Sequence, residues 1–145
     1  MNWIEKVVVG LPSSNIIRQP STSYFDPNIG SLGINLPAEH LELLTWSNGG
    51  QIKFSDILFS FWSYSDISIE NESYQIQKYL GENLIGIGSD GGPICFLLDY
   101  RESEVPKFSS VNFGDLDVAE IKVIAQSLSQ ALTLMKDGVL ASVTL

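Results

Sequence analysis

The stretch Leu84–Asp99, LIGIGSDGGPICFLLD, constrains the fold more than any other part of the chain. Two short apolar runs, Leu84–Ile87 and Ile94–Leu98, flank a segment made of Gly, Ser, Asp and Pro. Brief apolar runs bounded by turn formers read as buried strands. Asp90-Gly91 is a hairpin dipeptide: Gly accepts a positive φ freely, and an Asp carboxylate bonds backbone N–H groups just downstream. Two core strands joined by a tight turn at Gly88, Asp90, Gly91 and Gly92 are therefore expected.

The same residues, Gly86 to Gly91, also satisfy the spacing G-x-G-x-x-G. A dinucleotide site needs that loop to open a helix whose N-terminus holds the pyrophosphate. Here ICFLLD follows, with neither a cap nor a helical stripe, and Asp90 would repel a phosphate. A nucleophile elbow fails because Ile87 stands where G-x-S-x-G wants its first glycine. Ser89 and Asp90 are too few oxygen ligands for a calcium loop. The turn reading is the one left.

Elsewhere, PAEHLELLTWS reads as a helix, with Pro37 at its start, Glu39 near the positive end of its dipole, and Leu41 and Leu44 on one face. Asn48-Gly49-Gly50 stops it. QIKFSDILFSFWSYSDI alternates and is rich in aromatics, so one or two strands are expected. SIENESYQIQKYLG reads as a helix ending at Gly81. KFSSVNF reads as a further strand. IKVIA is a strand or an early turn of the last helix, which Ser127 and Gln130 mark with a capping box. Asn2–Val9 is a short helix or strand, the following Pro/Ser/Asn-rich stretch a loop, and Asp26-Pro27 a helix start. The sum is α+β: residues 1–145 as one domain, a mostly antiparallel sheet with helices packed on it.

Charge bounds the partners. Seventeen acidic residues against eight basic ones give a net charge of −9. The basic residues are scattered, so no footprint for nucleic acid exists. Acidic positions cluster at Asp66, Glu70 and Glu72, and again at Asp99, Glu102 and Glu104. Such charge keeps a protein soluble, and it also steers association with a basic partner. No apolar stretch nears the roughly 20 residues of a membrane helix. Glu5 and the brevity of Val7–Val9 argue against a signal peptide. A lone cysteine forms no internal disulfide, so a cytoplasmic location is expected.

No catalytic, cofactor or metal set stands out. His40, the only histidine, lies beside Glu39 in a helix and is expected to face solvent, with no nucleophile marked as its partner. Cys95 reads as a small core residue. Trp62, in FSFWSYSD, is the better interface candidate, since Trp and Tyr are favoured at binding hot spots.

Three segments in order, LGINLPAEHLELLTWSNGG, IGSDGGPICFLLD and VIAQSLSQALTLM, resemble the SUKH superfamily of immunity proteins and fungal cell-wall-assembly regulators. They span residues 32 to 135. Departures are Pro93 in place of a third glycine, Gln126 where an acidic residue is common, and Ile29 where a glutamate often precedes L-G. The resemblance implies an α+β domain with a twisted sheet and no catalysis. It further implies an immunity protein that binds a cognate toxin, often a nuclease. An acidic inhibitor complements the basic cleft of a nucleic-acid enzyme. The residues expected to meet the toxin are Trp62, Asp66, Glu70 and Glu72. The alternatives are a scaffold or regulatory interaction module, as in the fungal relatives, and, third, a small-ligand binder or enzyme using the glycine turn.

Overall fold

The computed structural model describes residues 2–145. The two apolar runs are adjacent strands, β6 (Leu84–Ser89) and β7 (Ile94–Asp99), paired antiparallel. Around them lie β1 (Ile16–Arg18), β4 (Gly50–Lys53), β5 (Leu58–Phe61), β8 (Lys107–Asn112) and β9 (Lys122–Ala125). The strand order is β1-β4-β5-β6-β7-β8-β9, every neighbour antiparallel. β2 (Asn28–Ile29) and β3 (Ile34–Asn35) form a separate small hairpin.

Strand alternation sorts the side chains onto two faces. One face carries Phe59, Phe61, Ile85, Phe96, Leu98 and Phe108, and three helices cover it: α1 (Trp3–Val8), α2 (Ala38–Trp46) and α5 (Leu128–Lys136). Glu39 of α2 accepts from the backbone N–H and hydroxyl of Ser129, so its charge sits on the positive end of α5. The opposite face carries Leu84, Cys95, Leu97 and Val111 under Ile76 and Leu80. With both faces covered near the centre, β6 and β7 read as continuous apolar runs.

Several expectations need correction. Asp26-Pro27 starts no helix: the Asp26 carboxylate accepts from Asn28 in a local turn, and the chain enters β2. The Pro/Ser/Asn-rich loop contains β1, because pairing with β4 outweighs its composition. The helix over residues 68–81 starts earlier and is broken into α3 (Tyr64–Ser73) and α4 (Ile76–Leu80). Gln75, at φ +56°, is the one non-glycine residue with positive φ among those described. That conformation costs about 1 kcal/mol and redirects the chain so that Ile76 and Leu80 reach the sheet. The α5 cap is also shifted: Ser127 accepts from the Gln130 N–H, but the Gln130 side chain accepts from Gln126.

His40 is fully buried, contrary to the solvent-facing expectation. The buried stripe of α2 is His40, Leu43, Leu44 and then Ser47, whereas Leu41 is half-buried on the flank. This is the i, i+3, i+4, i+7 spacing with polar residues at both ends, which hides it from a count of apolar side chains.

Candidate partner-binding surface

The surface is organised by the junction where β5 leaves the sheet. β5 pairs with β6 at Ser60↔Ser89 and Phe61↔Gly88, and the Trp62 N–H adds a bond to the Ile87 carbonyl. The register of β6 against β7 slips between Gly86 and Gly88, which leaves Ile87 as the extra residue of a bulge. Packing leaves no room for a side chain at Gly88 and crowds one at Gly86. A Cβ on Gly88 would lie 2.1 Å from the Ser60 carbonyl oxygen, and one on Gly86 would lie 3.1 Å from the Trp62 ring. The Trp62 indole therefore lies against bare backbone.

After Trp62 the chain turns into α3. Ser63 caps the helix by accepting from the Asp66 N–H, and Asn48 accepts from the Tyr64 N–H at 2.8 Å. Gly49 packs against the Ser63 backbone, where a Cβ would come within 2.9 Å. The segment Asn48-Gly49-Gly50 thus ends α2 and also fixes the start of α3.

Helical geometry decides which acidic residues accompany Trp62. Ile67 and Asn71 mark the buried side of α3. At 3.6 residues per turn, Asp66 and Glu70 share one flank with Tyr74, and Glu72 lies on the other. Tyr74 is stacked on Trp62, with centroids 6.4 Å apart and planes 7° from parallel. Phe113 also stacks on Tyr74, with centroids 4.4 Å apart. Glu72 instead lines a depression of about 450 Å³ that also contains Ser31, Gln77 and Lys78. Trp62, Asp66 and Glu70 therefore belong to one region, and Glu72 faces a different one. Asp66 and Glu72 are exposed, Glu70 and Trp62 partly so.

The polar tips in this region are uncommitted. Trp3 donates its indole N–H to the Glu39 carbonyl, but the Trp62 indole finds no acceptor among the described residues. The Tyr64 and Tyr100 hydroxyls donate to Asp26 and Asn35 carbonyls, whereas that of Tyr74, 42% exposed, makes no such bond. From Phe54 to Gln77 and again from Phe108 to Ile121 the chain contains no Lys or Arg. Tyr74 and Phe113 were not singled out from sequence. Tyr74 stands one helical turn after Glu70, a signal that was legible; the Phe113 contact depends on tertiary pairing.

The turn residues have a different environment. The Asp90 carboxylate accepts from the Gly92 and Ile94 N–H groups at 2.9 and 3.1 Å, and Gly91 holds φ +83°. Asp90 thus spends one carboxylate oxygen on its own loop. Its neighbour β7 ends at Asp99, which receives two bonds from the Arg101 guanidinium and one from its backbone N–H. Burial pushes the Asp99 carboxyl up, but these bonds and the Arg101 charge outweigh it and hold the group below its ordinary range. Burial alone pushes the Cys95 thiol far up, which makes it a poor nucleophile.

Among the described residues no cluster of three or more His, Cys, Asp or Glu could hold a metal ion. No helix there is long and apolar enough to cross a membrane. Among curated proteins, none matches the chain. A family model described as SMI1 / KNR4 family (SUKH-1) matches residues 30–133. That match takes in α2, the glycine hairpin, the Trp62 junction and most of α5, well over half of the sequence, and the chain belongs to this family.

Proposed function

We propose that this protein is a cytoplasmic immunity protein that binds a cognate toxin with a basic surface and neutralises it by masking, without catalysis. Trp62 is its aromatic anchor, and Asp66, Glu70 and Glu72 supply the acidic contacts, Glu72 from the opposite flank of α3. The observation that carries this reading is the Trp62–Tyr74 stack beside Asp66 and Glu70, in a stretch without a single cation. An aromatic anchor with an unspent donor, ringed by unpaired acids, is what a basic protein surface requires. A nuclease toxin fits that chemistry, since its own cleft must attract phosphate.

Residues 1–145 act as one SUKH domain in this reading. Segments outside the family match support it: β1 pairs with β4, and α1 packs on α5. The hairpin turn at Gly88, Asp90, Gly91 and Gly92 serves the fold and does not meet the partner. A regulatory scaffold would use the same surface for a different protein. Co-expression separates the two: the product of the gene adjacent to this one should stop growth when produced alone, and the chain should restore it. Unchanged killing, with the chain present and folded, would remove the immunity reading.

A further inference from the structure

The ring contacts do not end at α3. Phe113 stacks on Tyr74, and the Phe113 N–H donates to the Pro93 carbonyl at 2.8 Å, tying the β8–β9 loop to the hairpin. Leu116 and Ile121 pack back into the second core cluster, so the loop is anchored at three apolar points. Asp115 and Glu120 are exposed on it, and their carboxylates accept no hydrogen bond among the described residues. Asp117, by contrast, caps the following turn by accepting from the Ala119 N–H. Free carboxylates thus stand on both elements that carry the rings: Asp66 and Glu70 on α3 with Tyr74, Asp115 and Glu120 on the loop that follows Phe113.

We propose that Trp62, Tyr74 and Phe113 form the floor of a docking surface whose second wall is the β8–β9 loop, and that its occupant is an arginine-rich segment of the partner protein. This deepens the preceding reading and rests on it. Charge complementarity selects the occupant. A guanidinium stacks on aromatic rings while its N–H groups pair with carboxylates, and its aliphatic stem covers the apolar edge. An acidic segment would instead meet like charge on α3 and on the loop.

The test uses the full chain and a synthetic peptide of alternating Arg and Leu, followed by amide and indole NMR. The largest shifts are expected at the Trp62 indole N–H, at Asp66–Glu70 and at Gly114–Leu116. Asp115→Lys plus Glu120→Lys should weaken peptide affinity about tenfold at low salt, because each reversal repels the ligand. Shifts scattered over remote acids such as Glu5, Glu42 and Asp137 would overturn the proposal. So would a double variant within about twofold of the parent, or equal binding of a Glu–Leu peptide. Failure of the neighbouring toxin to bind, with the peptide still mapping to the rings, would remove the immunity reading and keep the docking surface. A toxin that binds parent and double variant alike would do the reverse.

Discussion

The Asn71 side chain bonds both backbone groups of Gly86: its amide donates to the carbonyl at 2.8 Å and its oxygen accepts from the N–H at 2.7 Å. The same amide donates to the Ile67 carbonyl. Beyond the Trp62–Ile87 bond β5 no longer pairs with β6, so the buried edge of β6 at Gly86 has no strand beside it. Asn71 stands in for that strand and fastens α3 to the sheet. Asn71→Ala should strand a buried donor and acceptor at a cost of about 3 kcal/mol. A urea midpoint unchanged from the parent would contradict this.

Trp62 is positioned by the absence of a side chain at Gly86. An added Cβ would lie 3.1 Å from the Trp62 ring and 3.2 Å from the Cys95 sulfur. Gly86→Ala should therefore displace the indole and weaken partner binding, with a stability loss of about 1–2 kcal/mol. Gly88→Ala meets backbone oxygen at 2.1 Å and should cost more, since that contact cannot rotate away. Equal effects of the two on binding and on unfolding would refute the distinction.

Asp90 separates fold from binding. Its carboxylate satisfies two loop N–H groups, so Asp90→Ala should lower stability by about 1 kcal/mol. Partner affinity should stay within about twofold. Lost binding at unchanged melting temperature would instead place the turn in the interface.

His40 makes stability depend on pH. Neither ring nitrogen finds a partner, and burial pushes the imidazole down from 6.5 to about 4. The folded state thus holds His40 neutral while the unfolded chain protonates it between those values. Its stability contribution is complete above pH 6.5 and is lost as pH falls toward 4, by about 3 kcal/mol. Asp99, depressed below the usual carboxylate range, gives up its contribution only at lower pH. His40→Leu should flatten the upper window in denaturation experiments at stepped pH; an unchanged slope would exclude His40 as its source.

What was legible followed from local chemistry. The Asp90 turn, the Ser127 cap and the Pro37 helix start are short-range patterns whose partners lie within a few residues. Trp62 stood out because it lies in an aromatic run and Trp is favoured at binding hot spots. Of its companions, Tyr74 follows Glu70 by one helical turn, but Phe113 was not readable: it reaches Tyr74 only because β8 runs beside β7, a pairing of distant residues. His40 and Asn71 were missed for one reason: both are polar residues at core positions, where hydropathy patterns predict solvent. The α3–α4 break follows from Gln75 accepting a strained backbone to bury Ile76 and Leu80, a tertiary demand that local propensity does not register.

The central claim is that the Trp62 region binds a basic toxin. Calorimetric titration of this protein with the product of the gene adjacent to its own is the decisive measurement. Saturable binding that weakens as salt is raised is expected, with an affinity reduced at least about tenfold by Glu70→Lys with Trp62→Ala. Heat-silent mixing at micromolar concentrations, or an affinity untouched by that double substitution, would contradict it.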